Sequence, residues 1–433
     1  MGGIADYSGA LVLQLPLARC TTVTLRRQAA PSLDIASFRD GHWDTFSITI
    51  DAIFAGELRE TDALAAWFAT RELDRWASYV VGAMQDVMHR SGVVKRDLPG
   101  FRLLIESDVP EGKGVSSSAA LEVATMMAGA TACGVELSPM EIAVACQAVE
   151  NHVVGAPCGI MDQMTSACGE ANHLLRLRCQ PATIEGQVKI PRGYRFYGID
   201  SGVRHEVSGA DYGTVRTAAF MGYRLIAETK GFRAGRHGDH ALVNDDVWHG
   251  YLANITPRDY ETMFRDLLPD RMSGEEFLAR FDGITDRVTK VVAGHNYPVR
   301  NATAHPIYEQ ARIERFAELL HDLGDDPAVA TELGALMYAS HESYGACGLG
   351  SDATDRVVTM AAEAGPRAGL FGAKITGGGS GGTVAILGKE SSESVVRDIA
   401  ARYSAETGRV AEVFAESGPG AARLGVIVSE ANA

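Results

Sequence analysis

Alternating apolar and polar positions predict strands in the first hundred residues. The segments are TTVTLRR (21–27), DTFSITID (44–51) and FRLLIES (101–107). Because successive side chains of a strand point to opposite faces, this alternation is typical of half-buried strands. Between the second and third segments, residues 62–92 repeat their apolar positions with helical spacing, so we expect a helix that ends at Gly92.

Two further helices are predicted after the third strand. SAALEVATMMAGATACG (118–134) is almost entirely apolar or small, which indicates a buried helix that ends near its final glycine. The next helix has a clear start, since Ser138 can cap it, Pro139 suits the first helical position and Glu141 completes a capping box. We expect this helix to run to about Gly155.

The rest of the chain mixes both kinds of element. From about residue 205 the pattern is mostly helical, up to a final mixed region. The expected strands and one further helix are ATIEGQVKI (182–190), YRFYGIDSGV (194–203), FGAKIT (371–376), GGTVAIL (381–387), the helix SSESVVRDIAARYSAET (391–407), RVAEVFAE (409–416) and LGVIVS (424–429). Strands and helices in both halves predict an α+β protein of two lobes, 1–204 and 205–433, with a site between them.

Composition narrows the functional classes. The chain is 46% hydrophobic and 22% charged, as expected for a globular protein, and no apolar run is long enough to span a membrane. The seven cysteines form no CxxC pairs, and no basic segment precedes the first apolar run, which together favour a cytoplasmic protein with reduced thiols. A net charge of −15 opposes non-specific binding to nucleic acid. We therefore expect small-molecule partners, and neither nucleic acid nor membrane.

A glycine- and serine-rich stretch, PEGKGVSSSAALEVA (110–124), comes directly before the buried helix. It is not a Walker A loop, because Gly114 follows Lys113 where that motif has Ser or Thr. Gly112 and Gly114 nevertheless let the backbone approach a ligand closely, and the free N–H groups of a helix start favour an anion. On these residues alone, a phosphate cradle and a serine-capped helix after a glycine turn remain equally open.

Two more stretches carry candidate chemistry. KITGGGSGGTVAIL (374–387) places five glycines between two apolar strands, more than a hairpin requires, so its backbone can press against a ligand or a second backbone. ENHVVGAPCGIMDQMTSACGE (150–170) holds Glu150 and Asp162 among small and apolar residues. Buried carboxylates are costly unless they bind a metal, a cation or a hydroxyl group. A lone carboxylate of this kind is otherwise a helix cap or a surface charge.

Together these stretches resemble the GHMP kinases, and within them the galactokinase-like sugar-1-kinases. PEGKGVSSSAALEVA resembles the phosphate loop of the family, KITGGGSGGTVAIL its third motif, and GAPCGIMDQ (155–163) the segment with the catalytic aspartate. GIDSGVRHEVSGADY (198–212) is similar to a segment that supplies a sugar-contacting tyrosine, and GGIADYSGALVL (2–13) to the signature GEHTDYNGG. The resemblance covers residues 2 to about 428 and implies a two-lobed GHMP kinase fold with the active site between the lobes.

The resemblance also implies a role for particular residues. Asp162 would accept or orient the proton of the attacking anomeric hydroxyl group, in a reaction governed mainly by alignment and charge neutralisation. Ser118 and Glu150 would hold Mg²⁺, a hard cation that prefers oxygen ligands. The residues that would contact ATP are Gly112, Gly114, Ser116, Ser117, Ser118, Gly378 and Gly379. Those that would contact the sugar are Asp6, Gly159 and Tyr212.

One departure from the galactokinase pattern bears on the substrate. Galactokinases usually carry Glu-His where this chain has Gly3 and Ile4, and that glutamate contacts the exocyclic hydroxymethyl group of the sugar. L-Arabinopyranose has the same arrangement of ring hydroxyls but lacks this group, and an unpaired buried carboxylate costs about 1–3 kcal/mol. The start of the chain and GLGSDATDR (348–356) also look more like the L-arabinokinases of the family. We therefore expect L-arabinose as the substrate, with D-galactose as the alternative.

A second departure concerns the first motif. In these kinases a strand and an Ala-Pro-Gly-Arg turn precede the signature, and its arginine lies beside the catalytic aspartate. Here the sequence starts inside that motif. We expect either an upstream segment that supplies the arginine or a protein that works without it. A weakly active sensor of sugar and ATP, derived from a kinase, is a further alternative.

Overall fold

The computed structural model describes residues 1–39, 41–92, 99–203, 210–238, 240–324 and 326–429. Within these ranges runs of strands and runs of helices follow one another in both halves of the chain, so the α+β prediction is confirmed. Among the described helices, none combines the length and the apolar composition needed to cross a membrane.

The strands are short and are numbered here in chain order. They are β1 (Leu11–Gln14), β2 (Thr21–Gln28), β3 (Ser32–Arg39), β4 (His42–Thr49), β5 (Gly100–Ser107), β6 (His173–Arg178), β7 (Thr183–Lys189), β8 (Tyr194–Asp200), β9 (Ala234–His237), β10 (His240–Val243), β11 (Met272–Ser273), β12 (Asn296–Tyr297), β13 (Leu370–Ile375), β14 (Thr383–Lys389) and β15 (Val413–Phe414).

The α-helices are numbered in the same way. They are α1 (Ile50–Phe54), α2 (Thr61–Ala69), α3 (Ala77–Arg90), α4 (Ser117–Cys133), α5 (Pro139–Val149), α6 (Met161–Cys168), α7 (Ala210–Thr229), α8 (Pro257–Asp259), α9 (Gly274–Arg280), α10 (Val299–Asp322), α11 (Pro327–Ala346), α12 (Asp352–Ala364), α13 (Glu393–Thr407) and α14 (Ala421–Leu424).

The chain forms two compact units, and each is assembled from separated stretches. Unit 1 contains Met1–Gln14, Gly112–Val115 and Asn172–Glu416. Unit 2 contains Leu15–Glu111, Ser116–Ala171 and Ser417–Ala433. The boundary at 204/205 expected from the sequence is a single cut, and it stays a prediction.

Unit 2 contains one four-stranded sheet, in the order β2-β5-β3-β4. Its pairs are antiparallel except for β3 with β5, which run parallel. Leu33, Ile35, Phe101 and Leu103 point from this sheet into a core and are almost fully buried. The helices α3 to α6 pack around one another in the same unit.

Unit 1 contains two larger sheets, β1-β6-β7 and β13-β14-β8-β15, and two small two-stranded sheets, β9-β10 and β11-β12. In the four-stranded sheet β8 is an interior strand, paired with β14 on one side and with β15 on the other. One apolar core of unit 1 lies under this sheet and contains Tyr197, Ile199 and Tyr403. A second core joins Ile4 to α7, α10 and α11 through Tyr212, Ile307 and Tyr344.

Two predicted elements are wrong. The single helix expected over 62–92 is instead α2, a 3₁₀ turn at Glu72–Asp74 and α3, because the backbone leaves the helical region at Arg71 (φ −125°, ψ 72°). LGVIVS forms no strand, since residues 425–429 pair with no described strand and leave Ile427 and Val428 largely exposed. RVAEVFAE contributes only the two residues of β15.

Candidate active site

The glycine-serine stretch forms a tight loop followed at once by α4. Gly112 and Gly114 have φ values of 69° and 67°, a region that side chains disfavour, so the loop favours glycine at both positions. Ser116 occupies the N-cap position without a capping hydrogen bond from its side chain, and it takes a left-handed conformation, with φ 62° and ψ 47°. A non-glycine residue held in this region is strained, and such strain is concentrated at functional sites. The N–H groups of Ser117 and Ser118 lie in the first turn of α4, where helix geometry leaves them without an intrahelical acceptor.

Asp162 lies in the first turn of α6 and is half-buried. Burial raises the pKa of this carboxyl group, and a hydrogen bond from the side chain of Ser116 opposes the increase. The strained serine and the carboxylate are therefore in direct contact within unit 2. A half-buried carboxylate with a raised pKa is suited to accepting a proton from a bound hydroxyl group.

Glu150 lies beside this pair and is 4% exposed. It begins a π-helical turn, Glu150–Val154, that continues α5 and ends at Gly155 in a left-handed conformation. Burial raises its pKa to about 7; the hydrogen bond with Ser118 lowers it, and the charge of Asp162 raises it. Gln163 also donates its amide N–H to Glu150 Oε2 at 2.5 Å. Asp162 and Glu150 thus lie together in unit 2, and each is bonded to a serine at the start of α4.

A third carboxyl group lies close by. Glu122, one helical turn after Ser118 on α4, is 0% exposed. Burial raises its pKa well above the usual value, the charge of Glu150 adds to the increase, and the Gln163 amide opposes it. The protonated form of Glu122 is therefore favoured in the folded protein. Its signal in the sequence is the one charged residue of a buried helix.

The donors around Glu150 are compatible with Mg²⁺. A carboxylate and a serine hydroxyl are hard oxygen ligands, and Mg²⁺ commonly takes only one or two protein ligands beside phosphate oxygens and water. In the described part of the chain no group of three or more His, Cys, Asp or Glu side chains is arranged to hold a metal by itself. The donor set therefore fits a cation that arrives with a polyphosphate.

The glycine-rich stretch 374–387 packs on the first half of the phosphate loop, inside unit 1. Thr383 donates its hydroxyl to the carbonyl oxygen of Lys113 at 2.7 Å. A Cβ atom added at Gly382 would lie 3.0 Å from the same oxygen and 3.2 Å from Cα of Gly114. The sequence-based expectation that this loop presses on a second backbone is confirmed. Gly378 and Gly379 are both buried in it.

Lys113, which the sequence analysis left without a role, forms an ion pair with Asp200 at the end of β8. The Nζ–Oδ2 distance is 2.5 Å, and Asp200 is 0% exposed. The other oxygen of Asp200 accepts the backbone N–H of Gly202 at 3.0 Å. This pair fixes the loop to the interior strand of the four-stranded sheet.

The predicted sugar-binding residues fall in both units. In unit 1 Asp6 is 3% exposed, and Tyr7 and Tyr212 meet edge to face with ring centroids 5.9 Å apart. Arg216 lies over the Tyr7 ring and is held by a bidentate pair with Asp286, at 2.7 and 2.8 Å. Burial disfavours the charged form of the Asp286 carboxyl group, yet Arg216 keeps the pKa of that carboxyl group below its usual range.

Gly159 belongs to unit 2, where it is buried in the turn between Gly155 and α6. Residues 204–209 of the predicted sugar segment lie outside the described residues. The structure thus brings Ser116, Ser118, Glu150 and Asp162 together, and separately brings Tyr7 to Tyr212. Glu122, Gln163 and Asp200 could not be identified as site residues from the sequence, because their importance depends on burial and pairing in the folded protein.

Two family models match the chain. GHMP kinases N terminal domain matches residues 78–170, and GHMP kinases C terminal matches residues 312–405. The first match contains the phosphate loop, Glu150 and Asp162. The second match contains the glycine-rich stretch 374–387.

Curated relatives match over almost the whole chain. It is 40% identical to an L-arabinokinase of Arabidopsis thaliana over 99% of its own length, and it spans 45% of the length of that protein. It is 30% identical to a galactokinase of Chloroflexus aurantiacus, with 94% of this chain and 86% of the relative covered.

Solved structures share the fold. The Lactococcus lactis galactokinase complexed with galactose aligns with a TM-score of 0.68 at 21% identity, covering 97% of this chain and 91% of that one. A mevalonate kinase aligns with a TM-score of 0.55 at 15% identity, covering 97% and 96%.

Proposed function

Because this chain belongs to the GHMP kinases, we propose that it transfers the γ-phosphate of ATP to the anomeric hydroxyl group of L-arabinose. The products are L-arabinose 1-phosphate and ADP. Membership of a kinase family implies the use of ATP, whereas the sugar, the cation and the roles of single residues are parts of the proposal.

The observation that carries the proposal is the pair of carboxyl groups, one half-buried and one buried, that are bonded to two serines at the start of α4. Ser116 bonds Asp162, and Ser118 bonds Glu150. A structural loop needs neither carboxylate, because burying such groups costs free energy. A phosphotransferase needs both, one beside the attacking hydroxyl group and one beside the phosphates.

Asp162 accepts the proton of the anomeric hydroxyl group as the sugar oxygen forms its bond to the γ-phosphorus atom. The bond from that phosphorus to the bridging oxygen breaks, and ADP leaves with the electron pair. The raised pKa of Asp162 makes the carboxylate a better proton acceptor than one in water. Its contact with Ser116 keeps the carboxylate in one orientation, which matters because phosphoryl transfer depends chiefly on alignment.

Ser118 and Glu150 would hold Mg²⁺, and the bound ion would neutralise charge on the ATP phosphates. Gln163 orients the Glu150 carboxylate by donating to its Oε2. Gly112, Gly114, Ser116 and Ser117 would offer backbone N–H groups and hydroxyls to the phosphates. Gly378 and Gly379 lie in the loop that contacts the phosphate-loop backbone at the Lys113 carbonyl oxygen. Asp6, Gly159 and Tyr212 would bind sugar hydroxyl groups.

Two observations favour L-arabinose over D-galactose. The matched L-arabinokinase is more similar to this chain than the matched galactokinase is, at 40% against 30% identity. In addition, position 3 is glycine and position 4 is a fully buried isoleucine, so neither of these two residues offers a polar side chain to an exocyclic hydroxymethyl group.

A sugar panel tests the proposal. ATP turnover should be measured with L-arabinose, D-galactose, D-glucose and D-xylose, and the kcat/KM for L-arabinose should be the largest. A larger kcat/KM for D-galactose would identify D-galactose as the preferred substrate, and the proposed kinase activity would stand. Sugar and ATP binding without turnover would instead favour the sensor alternative.

A further inference from the structure

Gly3 occupies a place where no side chain fits. A Cβ atom added there would overlap the hydroxyl oxygen of Tyr344 and lie 2.6 Å from the carbonyl oxygen of Gly377. Gly3 does not have a positive φ. The neighbours of Gly3, and not its backbone conformation, therefore require glycine at this position.

Tyr344 is held in this place by its surroundings. Its hydroxyl group donates to the Gly377 carbonyl at 2.9 Å and accepts the backbone N–H of Ile4. The residue is 0% exposed. Lys374 Nζ lies 4.8 Å from the ring centroid, and the His305 ring meets the ring edge-on at 5.3 Å. Because the hydroxyl uses both its donor and its acceptor, rotation of the phenol would break two buried hydrogen bonds.

The phenol also lies near the predicted sugar-binding residues of unit 1. Ile4, Tyr212 and Tyr344 belong to one apolar cluster. The charge of Asp6 is close enough to raise the pKa of Tyr344, an effect smaller than that of burial. Position 3, the phenol and the candidate sugar carboxylate are therefore neighbours.

We infer that Tyr344 is a specificity-determining residue. It occupies the space that a side chain at position 3 would fill, and so selects a pentopyranose over a hexopyranose. This inference rests on the proposed function. The tyrosine reaches the same place from α11 that a side chain at position 3 would reach from the first motif. It fills that place with a phenol whose hydrogen bonds are already made.

The physical basis is the lack of a partner for one more hydroxyl group. A hexopyranose of this configuration carries an exocyclic hydroxymethyl group, and the Ile4 side chain and the Tyr344 ring beside position 3 are apolar and buried. If that group were placed at position 3, its hydroxyl would lose its hydrogen bonds to water and gain none there, and its carbon would compete with the Tyr344 hydroxyl for the same space. A pentopyranose has a hydrogen atom in place of the hydroxymethyl group and avoids both costs.

The test is the ratio of kcat/KM for L-arabinose to kcat/KM for D-galactose. Tyr344→Ala opens the space, and we expect the ratio to fall about tenfold or more. Tyr344→Phe removes only the hydroxyl and should lower the ratio less. Tyr338→Phe is the matched control, because Tyr338 lies on the same helix but packs against the other core of unit 1. It should leave the ratio unchanged.

A second pair of variants tests the steric part. Gly3→Ala should reduce kcat/KM for L-arabinose about tenfold or more, because the new methyl group meets the phenol hydroxyl. Adding Tyr344→Phe should restore part of the loss, since it removes that oxygen and releases the Gly377 carbonyl. Thermal unfolding of each variant identifies those that are folded. If Tyr344→Ala does not fold, the Gly3→Ala and Tyr344→Phe pair decides.

The outcomes separate this inference from the proposed function. If the wild-type protein phosphorylates L-arabinose but folded Tyr344→Ala keeps the wild-type ratio, the inference is overturned and the function stands. If the wild-type protein phosphorylates no sugar, the function fails, and calorimetric binding of L-arabinose and D-galactose to the same variants supplies the ratio instead. Wild-type preference for D-galactose in either assay would overturn the inference.

Discussion

Asp162 is the residue with the sharpest catalytic expectation. Asp162→Asn keeps the shape of the side chain and removes the proton acceptor, so kcat should fall about 10²–10⁴-fold. Affinity for a non-hydrolysable ATP analogue, measured by calorimetry, should stay within about twofold of the wild-type value. Asp62→Asn, at an exposed position in α2, is the control and should change neither quantity. Near-normal kcat in Asp162→Asn would make this carboxylate structural.

Glu150 gives a prediction about pH and magnesium. Its folded pKa of about 7 lies above the ordinary value, mainly through burial, so the carboxylate is increasingly protonated as the pH falls below 7. A proton and a cation compete for the same oxygens, and the apparent Mg²⁺ requirement should rise up to about tenfold per pH unit below 7. Glu150→Gln should need more Mg²⁺ at every pH and lose this dependence. Ser118→Ala should also need more Mg²⁺ but keep the dependence.

That prediction would be contradicted by a flat magnesium requirement between pH 6 and 8 in the wild-type protein. Unchanged magnesium dependence in both Glu150→Gln and Ser118→Ala would place the cation elsewhere.

Glu122 gives a prediction about stability. Its pKa is raised in the folded state, so the folded protein retains a proton that the unfolded chain releases above about pH 4.5. The contribution of Glu122 to the free energy of unfolding is therefore greatest below that pH and decreases as the pH rises towards the folded pKa, by up to about 1.4 kcal/mol per pH unit. Glu122→Gln removes this loss.

Urea unfolding at pH 5, 6, 7 and 8 checks the stability prediction. The stability of Glu122→Gln relative to the wild-type protein should increase with pH, whereas that of Glu72→Gln, at an exposed position, should not. A constant difference across this range would mean that Glu122 is ionised in the folded protein.

At the residue scale, the sequence located the side chains that carry motifs. Ser116, Ser118, Glu150 and Asp162 are recognisable from the motif patterns, and the structure places their side chains in contact; their roles stay predictions. Glu122 and Tyr344 could not be assigned in the same way. Their importance depends on which atoms surround them after folding, and a single sequence does not record those neighbours.

At the scale of elements, local signals predicted helices better than strands. The capping box at Ser138 and the glycine after Cys133 fix helix ends through bonds within a few residues, and both appear as expected. A strand is stabilised by a partner distant in sequence. For this reason LGVIVS, which has strand composition but no partner, was predicted wrongly, and β3 was missed although it joins β4 and β5.

The contact between the two glycine-rich loops gives the element-scale prediction. Gly382→Ala would bring a methyl group to 3.0 Å from the Lys113 carbonyl, so the backbone of the phosphate loop has to move. We expect the KM for ATP to rise about tenfold, with a smaller change in the KM for the sugar.

Gly408→Ala is the matched control for that variant. Gly408 has nearly the same φ, 72° against 74°, but a Cβ atom there meets nothing within 4 Å. Both variants share the left-handed backbone cost of about 1–2 kcal/mol, and only Gly382→Ala should change the KM for ATP. Equal kinetics in the two variants would show that the loop contact does not support ATP binding.

At the scale of the whole molecule, the order of elements along the chain differs from their grouping in space. Unit 1 combines the first fourteen residues with a long stretch from Asn172, and unit 2 takes up Ser417–Ala433 after that stretch. A hydrophobic pattern is read along the chain and shows where elements begin and end. It carries little information about which distant segments pair, so a domain boundary drawn at one point follows from the change in composition near residue 205.

The last prediction tests that boundary. A cut at 204/205 separates β8 from β13, β14 and β15, although β8 pairs with β14 over seven residues and with β15 on its other side. In a fragment of residues 205–433 both neighbours of β8 would have an unpaired edge, and the core around Tyr403 would lose Tyr197 and Ile199. The fragment should therefore show no cooperative thermal transition by circular dichroism. Mixing it with residues 1–204 should restore one, because the missing strand is then supplied in trans. A cooperative transition in 205–433 alone would show that the boundary at 204/205 is correct and that β8 is dispensable for folding of the second half.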